Sequence, residues 1–446
     1  MDKVAEFIRE LRFHDLPPRV VEQAQLCLLD LVGVAAAGTN TQLSRIIRDH
    51  AAGNFAAGTA GARILFDGRR VSPVGAALAS GMTIDSLDAH DGHALAKGHA
   101  GAAVLPAVLA LVDGRASIGG PEFLATLVLG YEIGIRAGIA LHATAPAYHS
   151  SGAWNALACA AVGARRLTLN QAQTEHALGI AEYHGPRSPM MRCIDHPTMV
   201  KDGSGWGAMA GVSAALLAEA GFTGAPAATV AEPPASTCDT WSDLGDRWRI
   251  LEQYFKPQPV CRWAQPAVRA ALDLREHHRL TAEHIEHVEV VAFHEAVRLG
   301  ARNPTTTEEA QYSLPFAVAT ALCRGEVAAA DVALRRERSP DAARLSATMT
   351  LTEGEGYNRR FPAERCAAVH LRLRDGRRVT AAATTTPGDP TEPLGPTELE
   401  AKYRRLSVPP LSEERSARLA AAVRALPQSD SSRPLLEDLL APPPCS

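Results

Sequence analysis

The stretch DSLDAHDGHALAKGHAGAAVLPA, running from Asp85 to Ala107, sets Asp85, Asp88, His90, Asp91, His93, Lys97 and His99 directly ahead of a run of small apolar residues. Carboxylates and imidazoles grouped in this way can bind a metal, exchange protons with a substrate, or line a solvated loop. The metal reading is the sharpest, but His90 and His93 stand three apart and no HExxH pair is present, so the spacing matches no standard helical ligand set. The solvated-loop reading suits Asp91, His93 and Lys97. It suits His99 less well, because GHAGAAVLPAVLAL places that imidazole at the entrance of an apolar helix. The positive end of a helix disfavours imidazolium and leaves a neutral ring able to give or take a proton.

Two other basic residues share this setting: His149 in APAYHSSGAWNALACAA and Lys201 in MVKDGSGWGAMAG both precede helices of small residues. Three such helix starts predict one polar pocket if their N-termini converge, and a pocket of that kind suits a substrate bearing carboxylates. Other templates fail. GSGWGAMAG follows no strand and lacks the lysine of a phosphate-binding loop, and no GxSxG elbow exists for a serine nucleophile. The eight cysteines form no CxxC pair and read as reduced core thiols, Cys261 included.

The elements that must position these residues follow from the pattern. A chain of 446 residues exceeds what one core usually serves. Up to about Gly224 the periodicity is helical, in segments such as VVEQAQLCLLDLVGVAAAG, FLATLVLGYEIGIRAGIALH and GAMAGVSAALLAEAG, several of them closed by glycine. TGAPAATVAEPPASTCD reads as a connection. Beyond Phe255, HIEHVEVVAF alternates like a half-buried strand, and AAVHLRLRDGRRVTAAATT reads as a hairpin turning at Asp375-Gly376. AQYSLPFAVATALCRG is an apolar helix, EERSARLAAAVRAL a last helix returning to the first half, and APPPCS a frayed tail. The expected fold is mainly α with an α+β part: a helical domain over 1–255, completed by about 396–446, and an α+β lid over 256–395.

Charged residues make up 21% of the chain and the net charge is −4, a balance that attracts neither nucleic acid nor an anionic membrane. MDKVAEFIRELRFHDLPP is an amphipathic surface helix rather than a signal peptide, and the apolar windows are broken by charge, so no membrane span and a cytoplasmic location are expected.

Seven stretches in order, LLDLVGVAAAG, DSLDAHDGH…KGHAGAAVLPAVLA, GYEIGIRAG, YHSSGAWNALACAA, MVKDGSGWGAMAG, FKPQPVCRWAQPAV and EEAQYSLPFAVA, resemble the MmgE/PrpD family. The resemblance implies a large helical domain with a smaller lid, a homodimer, and chemistry on polycarboxylates without metal or organic cofactor. It further implies Asp88, His99, His149 and Lys201 as catalytic residues; a buried Lys201 could serve as the base with His99 and His149 delivering the second proton, and the assignment of base and acid stays open. Arg262, Gln265, Tyr312 and His93 are the implied substrate-binding set. Gln265 stands where decarboxylases and dehydratases of the family often carry histidine, and Phe316 where the decarboxylase has tyrosine. The Asp88–His99 loop also looks one residue longer than in the decarboxylase. These departures point away from cis-aconitate decarboxylation, and DAHDGH, KGHAG and CRWAQP resemble the epimerase side of the family; epimerisation and dehydration are the two reactions expected. A metal-dependent hydrolase built on the Asp88–His99 cluster, and a ligand-binding member without catalysis, are the alternatives.

Overall fold

The computed structural model describes residues 1–446 except Ala116, residues 232–237, Arg338 and residues 445–446, so part of the expected connection and the end of the tail lie outside the described residues. The principal helices of the first half are α1 (Pro18–Gly38), α2 (Pro73–Asp85), α3 (Gly101–Asp113), α4 (Gly120–Thr144), α5 (Gly152–Arg166), α6 (Gln171–His184) and α7 (Ser204–Glu219). In α2 and α3 nearly every side chain is buried, as expected of helices apolar on all faces. Small residues let α7 sink into this core. A Cβ on Gly205 would stand 2.4 Å from the Leu78 carbonyl of α2, and one on Gly211 would stand 2.3 Å from the Ala156 carbonyl of α5.

The expectation that no segment could span a bilayer is corrected here. By length and composition α1 and α4 both could. The charges taken as interruptions are buried in ion pairs: Asp30 of α1 with Lys402 at 2.5 Å, and Glu132 with Arg136, both of α4, at 3.4 Å. Protein surrounds these helices, and 94% of the most apolar window of α4 is buried.

In the second half, α8 (Gln265–His277) and α9 (Leu314–Arg324) accompany a four-stranded sheet. Its strands are β1 (Ile285–Ala292), β2 (Thr350–Glu353), β3 (Ala367–Leu373) and β4 (Arg378–Thr384), in the order β2-β1-β3-β4, with β1 and β2 parallel and the other pairs antiparallel. A bulge between Ile285 and His287 shifts the phase, which is why Ile285 and Val288 both face inward although they lie three apart. The β3–β4 hairpin turns at Asp375-Gly376 as expected, with Gly376 at φ +86°.

The sequence pattern singled out neither α8 nor the long helix that stands before the last expected one. α10 (Pro396–Leu411) precedes the expected α11 (Glu413–Ala425) and carries Pro409 and Pro410 in its last turn, where a tandem proline reads as a break. Both helices return to the first half. Tyr403 of α10 packs over Gly33 of α1, and Gln25 of α1 donates to the Val423 carbonyl of α11 at 3.0 Å.

Candidate active site

The loop between α2 and α3 is not solvated. His90 and Asp91 are wholly buried, and Asp88 and His93 nearly so, while Lys97 is half-buried; the expectation that solvent surrounds Asp91 and His93 is therefore overturned. Several find partners far away in sequence, whereas His90 faces Asp85 at 3.5 Å and neither of its ring nitrogens has a hydrogen-bond partner among the described residues. Asp88 forms a close ion pair with Lys256, itself fully buried. Its amide donates to Gln311 Oε1 at 2.6 Å, and Lys201 Nζ donates to the same oxygen at 2.8 Å. Burial alone would raise the Asp88 carboxyl, but Lys256, Lys201, His90 and His99 together hold it well below the usual carboxylate range.

The helix starts are capped by the protein itself. The Ser151 amide at the head of α5 donates to Asp202 Oδ1 at 2.9 Å, and the Ser204 amide at the head of α7 donates to Asp85 Oδ2 at 3.0 Å. Expecting these N-termini to cradle a substrate carboxylate was wrong for α5 and α7, because carboxylates of the chain already occupy that role. Burial and the neighbouring Asp85 push the Asp202 carboxyl up.

Three hydrogen bonds hold His99, two through its backbone and one through its ring. Its amide donates to Ser151 Oγ at 3.0 Å and its carbonyl accepts from Asn155 Nδ2 at 2.9 Å. Nδ1 lies 2.6 Å from the Asp91 carbonyl; a carbonyl only accepts, so Nδ1 carries the proton and Nε2 keeps its lone pair. Burial, Lys256 and His90 hold the ring well below the usual histidine pKa, so it is neutral at pH 7. The His90 ring stands against it at 4.3 Å between centroids, and Tyr254 meets it edge-on at 6.3 Å. Gly92 makes this approach possible, since a Cβ there would fall 2.5 Å from the Tyr254 hydroxyl and 2.7 Å from His99 Nδ1. Gly92→Ala is therefore expected to displace His99 and lower turnover on the order of 10²-fold with little change in helical circular dichroism.

Behind His99, the Asp91 carboxylate accepts from the Tyr131 hydroxyl at 2.9 Å. Burial and the nearby Asp30 push Asp91 up to about 7. The unfolded carboxyl titrates near ~3.9, so folding takes up a proton between there and about pH 7. For an acid raised on folding, stability falls as pH rises across that window and stays reduced above it. Asp91→Asn, whose amide still accepts from Tyr131, should raise Tm more at pH 8 than at pH 5, as paired thermal melts would show.

Lys201 sits at φ +50°, a left-handed conformation that costs a non-glycine residue on the order of 1–2 kcal/mol and persists where surrounding contacts enforce it. Its ammonium lies 4.6 Å above the Tyr312 ring, so these two expected site residues do meet. Lys201 also lines a cleft of about 500 Å³ whose walls include Arg192, His196, Ser150 and Trp206. Cys261, buried and pushed up to about 12 by that burial, is inert as expected.

The remaining expected residues are placed differently. His149 points its Nδ1 to the Ala147 carbonyl at 2.7 Å and stands beside His142, not with Asp88 and His99. His93 Nε2 faces Glu252 at 3.1 Å, and its Nδ1 accepts from the Ala96 amide at 3.2 Å, so it braces the loop. The Gln265 amide donates to the Gln258 and Val260 carbonyls at 2.7 and 2.9 Å, holding the turn after Lys256. Arg262 is buried, pairs with Asp389 and stacks 4.9 Å above the Tyr254 ring. Sequence reasoning missed Lys256, Gln311, Tyr254 and Asp202. Lys256 and Gln311 stand in the quoted FKPQPV and EEAQYS stretches, which were the available signal.

Asp88, His90 and His99 offer ligand atoms within 4.8 Å of one another. That donor set fits a cation poorly, because the Lys256 ammonium already lies against the Asp88 carboxylate that would have to ligate it. The positive charge a metal would bring is supplied here by lysine.

Family models match almost the whole chain: the MmgE/PrpD N-terminal domain over residues 2–241 and the MmgE/PrpD C-terminal domain over residues 259–428. The chain belongs to the MmgE/PrpD family. Cis-aconitate decarboxylase of Aspergillus terreus is 23% identical over 99% of this chain and 96% of its own length. Cis-aconitate decarboxylase of Homo sapiens is 24% identical over 90% of this chain and 86% of its own. The cis-aconitate decarboxylase-like protein oryM of Aspergillus oryzae (strain ATCC 42149 / RIB 40) is 26% identical over 50% of this chain and 47% of its own. This MmgE/PrpD chain is accordingly an enzyme of that family's type, and its mainly helical fold with a small mixed sheet in the C-terminal part agrees with the expectation.

Proposed function

We propose that this MmgE/PrpD enzyme removes a proton from the carbon beside a carboxylate of a small polycarboxylate or amino-polycarboxylate, with His99 as the base. The observation that carries this is the His99 ring: neutral, locked by the Asp91 carbonyl in the tautomer that leaves Nε2 free, and set beside the Asp88–Lys256 pair. Removing an α-proton places negative charge on the carboxylate oxygens, and groups already charged and fixed before reaction stabilise it without reorganising. Lys201 is suited to that task, since its ammonium is held in place by Gln311 and the residue also lines the neighbouring cleft. The role of base expected for Lys201 thus passes to His99 in this proposal.

Loss of a hydroxide from the neighbouring carbon then gives dehydration. Return of the proton to the opposite face gives epimerisation. Decarboxylation, the activity named for the relatives, is the less favoured outcome, because Gln265 spends its amide on the 258–260 turn and Phe316 has no hydroxyl. The homodimer and the cytoplasmic location expected from the sequence belong to the same proposal.

The test is proton NMR of chelator-treated protein in deuterium oxide with citrate-, tartrate- and iminodisuccinate-like acids. Exchange or loss of an α-proton without added metal supports the proposal, and the product distinguishes an epimer from an alkene. Activity that appears only when a divalent metal is restored would overturn it in favour of a metal-dependent reaction at Asp88, His90 and His99.

A further inference from the structure

The lid carries a second buried arginine that neither the sequence pattern nor the proton-transfer chemistry has used. Arg365, just ahead of β3, is 8% exposed. Its guanidinium lies 5.8 Å from the Phe361 ring, donates one long bond of 3.4 Å to the Ala94 carbonyl, and leaves Nε without a partner. Nearby Arg262, 4% exposed, leaves Nε and Nη1 unpartnered over Tyr254. Of the two, only Arg262 has a carboxylate partner among the described residues, Asp389. The charges of Arg365 and Arg262 both bear on the Tyr254 hydroxyl, which burial raises and these two cations lower, and Arg365 joins burial in lowering Lys97. Tyr254 in turn meets the His99 ring edge-on.

Two buried guanidinium groups sharing one carboxylate leave positive charge uncompensated, and desolvated charge is costly unless an anion completes it. A guanidinium matches a carboxylate through two parallel hydrogen bonds, which makes unpaired arginine nitrogens a selective carboxylate receptor. We propose that Arg365, with Arg262, forms a lid-side subsite for a second carboxylate of the substrate, remote from the carbon that gives up its proton, and so restricts the enzyme to substrates with at least two carboxylates. This rests on the proton-transfer reading above and adds the residue that sets its substrate class.

The probes are butyrate, glutarate and tricarballylate, carrying one, two and three carboxylates on chains of similar length, with binding measured by titration calorimetry on the full chain. The unaltered protein should bind glutarate and tricarballylate at least ~10-fold more tightly than butyrate, following the ~1.4 kcal/mol per decade relation. Arg365→Met should remove that preference and leave butyrate unchanged. Arg365→Lys, which keeps the charge but not the fork, should restore part of it. Affinities of Arg365→Met within twofold of the unaltered protein would overturn the inference. An equal loss for all three acids would also overturn it, since that is the signature of a residue that only clasps lid to body. Failure of the unaltered protein to discriminate among the acids would do the same. The two readings fail separately: α-proton exchange with an unchanged Arg365→Met profile removes the subsite alone, whereas lost discrimination without any exchange leaves a polycarboxylate site and removes the reaction.

Discussion

Lys201→Ala is expected to reduce α-proton exchange on the order of 10³-fold while the protein remains folded, with Tm within a few degrees of the unaltered chain. The size follows from what one positioned proton-transfer or charge-stabilising group contributes, roughly 10²–10⁴-fold. The fold should tolerate the change because alanine carries the same Cβ into the left-handed conformation at φ +50° and adds no new strain. Gln311 loses one donor but keeps the Asp88 amide on Oε1 and its own bond to the Ser86 carbonyl at 3.1 Å. The rate loss should fall on kcat, because a group that stabilises charge developing in the transition state contributes little to binding the ground state. Exchange followed by NMR alongside a thermal melt separates the outcomes. Full activity in Lys201→Ala would remove this side chain from the chemistry, and a collapse in Tm would recast it as a structural cation.

How far the sequence could be read depended on the distance over which each feature is determined. α3, α5 and α7 were legible because apolar residues, small residues and flanking glycines lie within one segment, and the β3–β4 hairpin because Asp375-Gly376 is a local turn signal. α10 was obscured by a local signal that misleads, since Pro409 and Pro410 occupy a last turn rather than a break. Burial of the acidic loop could not be read locally at all. Asp91 accepts from Tyr131 and His93 meets Glu252, partners from 40 and 159 residues away, so a composition that looks solvated is packed against protein. The same holds for the site. His99 and Lys201 were found because each opens an apolar helix, and they do lie at the site. His149 shares that signature, yet its ring turns to Ala147 and His142, because a residue's place before a helix does not determine its rotamer.

Lys256, which sequence reasoning missed, is also the residue whose removal should disturb the protein most. It lies 168 positions from Asp88 and both are buried, so Lys256→Met leaves a carboxylate in the core without its closest counter-charge. Breaking one side of a buried pair costs about 3–5 kcal/mol, enough to lower Tm by many degrees. The pH dependence should reverse. In the unaltered protein Asp88 is held below its unfolded value, so its contribution is present above about pH 4 and is lost as pH falls through the folded pKa. Without Lys256, burial dominates and raises the carboxyl, so the variant should lose stability as pH rises and differ most from the unaltered protein near pH 8. Asp88→Asn combined with Lys256→Met removes both charges and should recover much of the lost stability, since the cost lies in the orphaned charge rather than in the absence of the pair. It should not recover activity, because the site would lose the fixed charges set beside His99 to orient the substrate and stabilise charge that develops on it. A thermal-melt cycle over the two single variants and the double variant at pH 5 and pH 8 measures the coupling. Additive losses at both pH values would show that Asp88 and Lys256 do not depend on each other for stability.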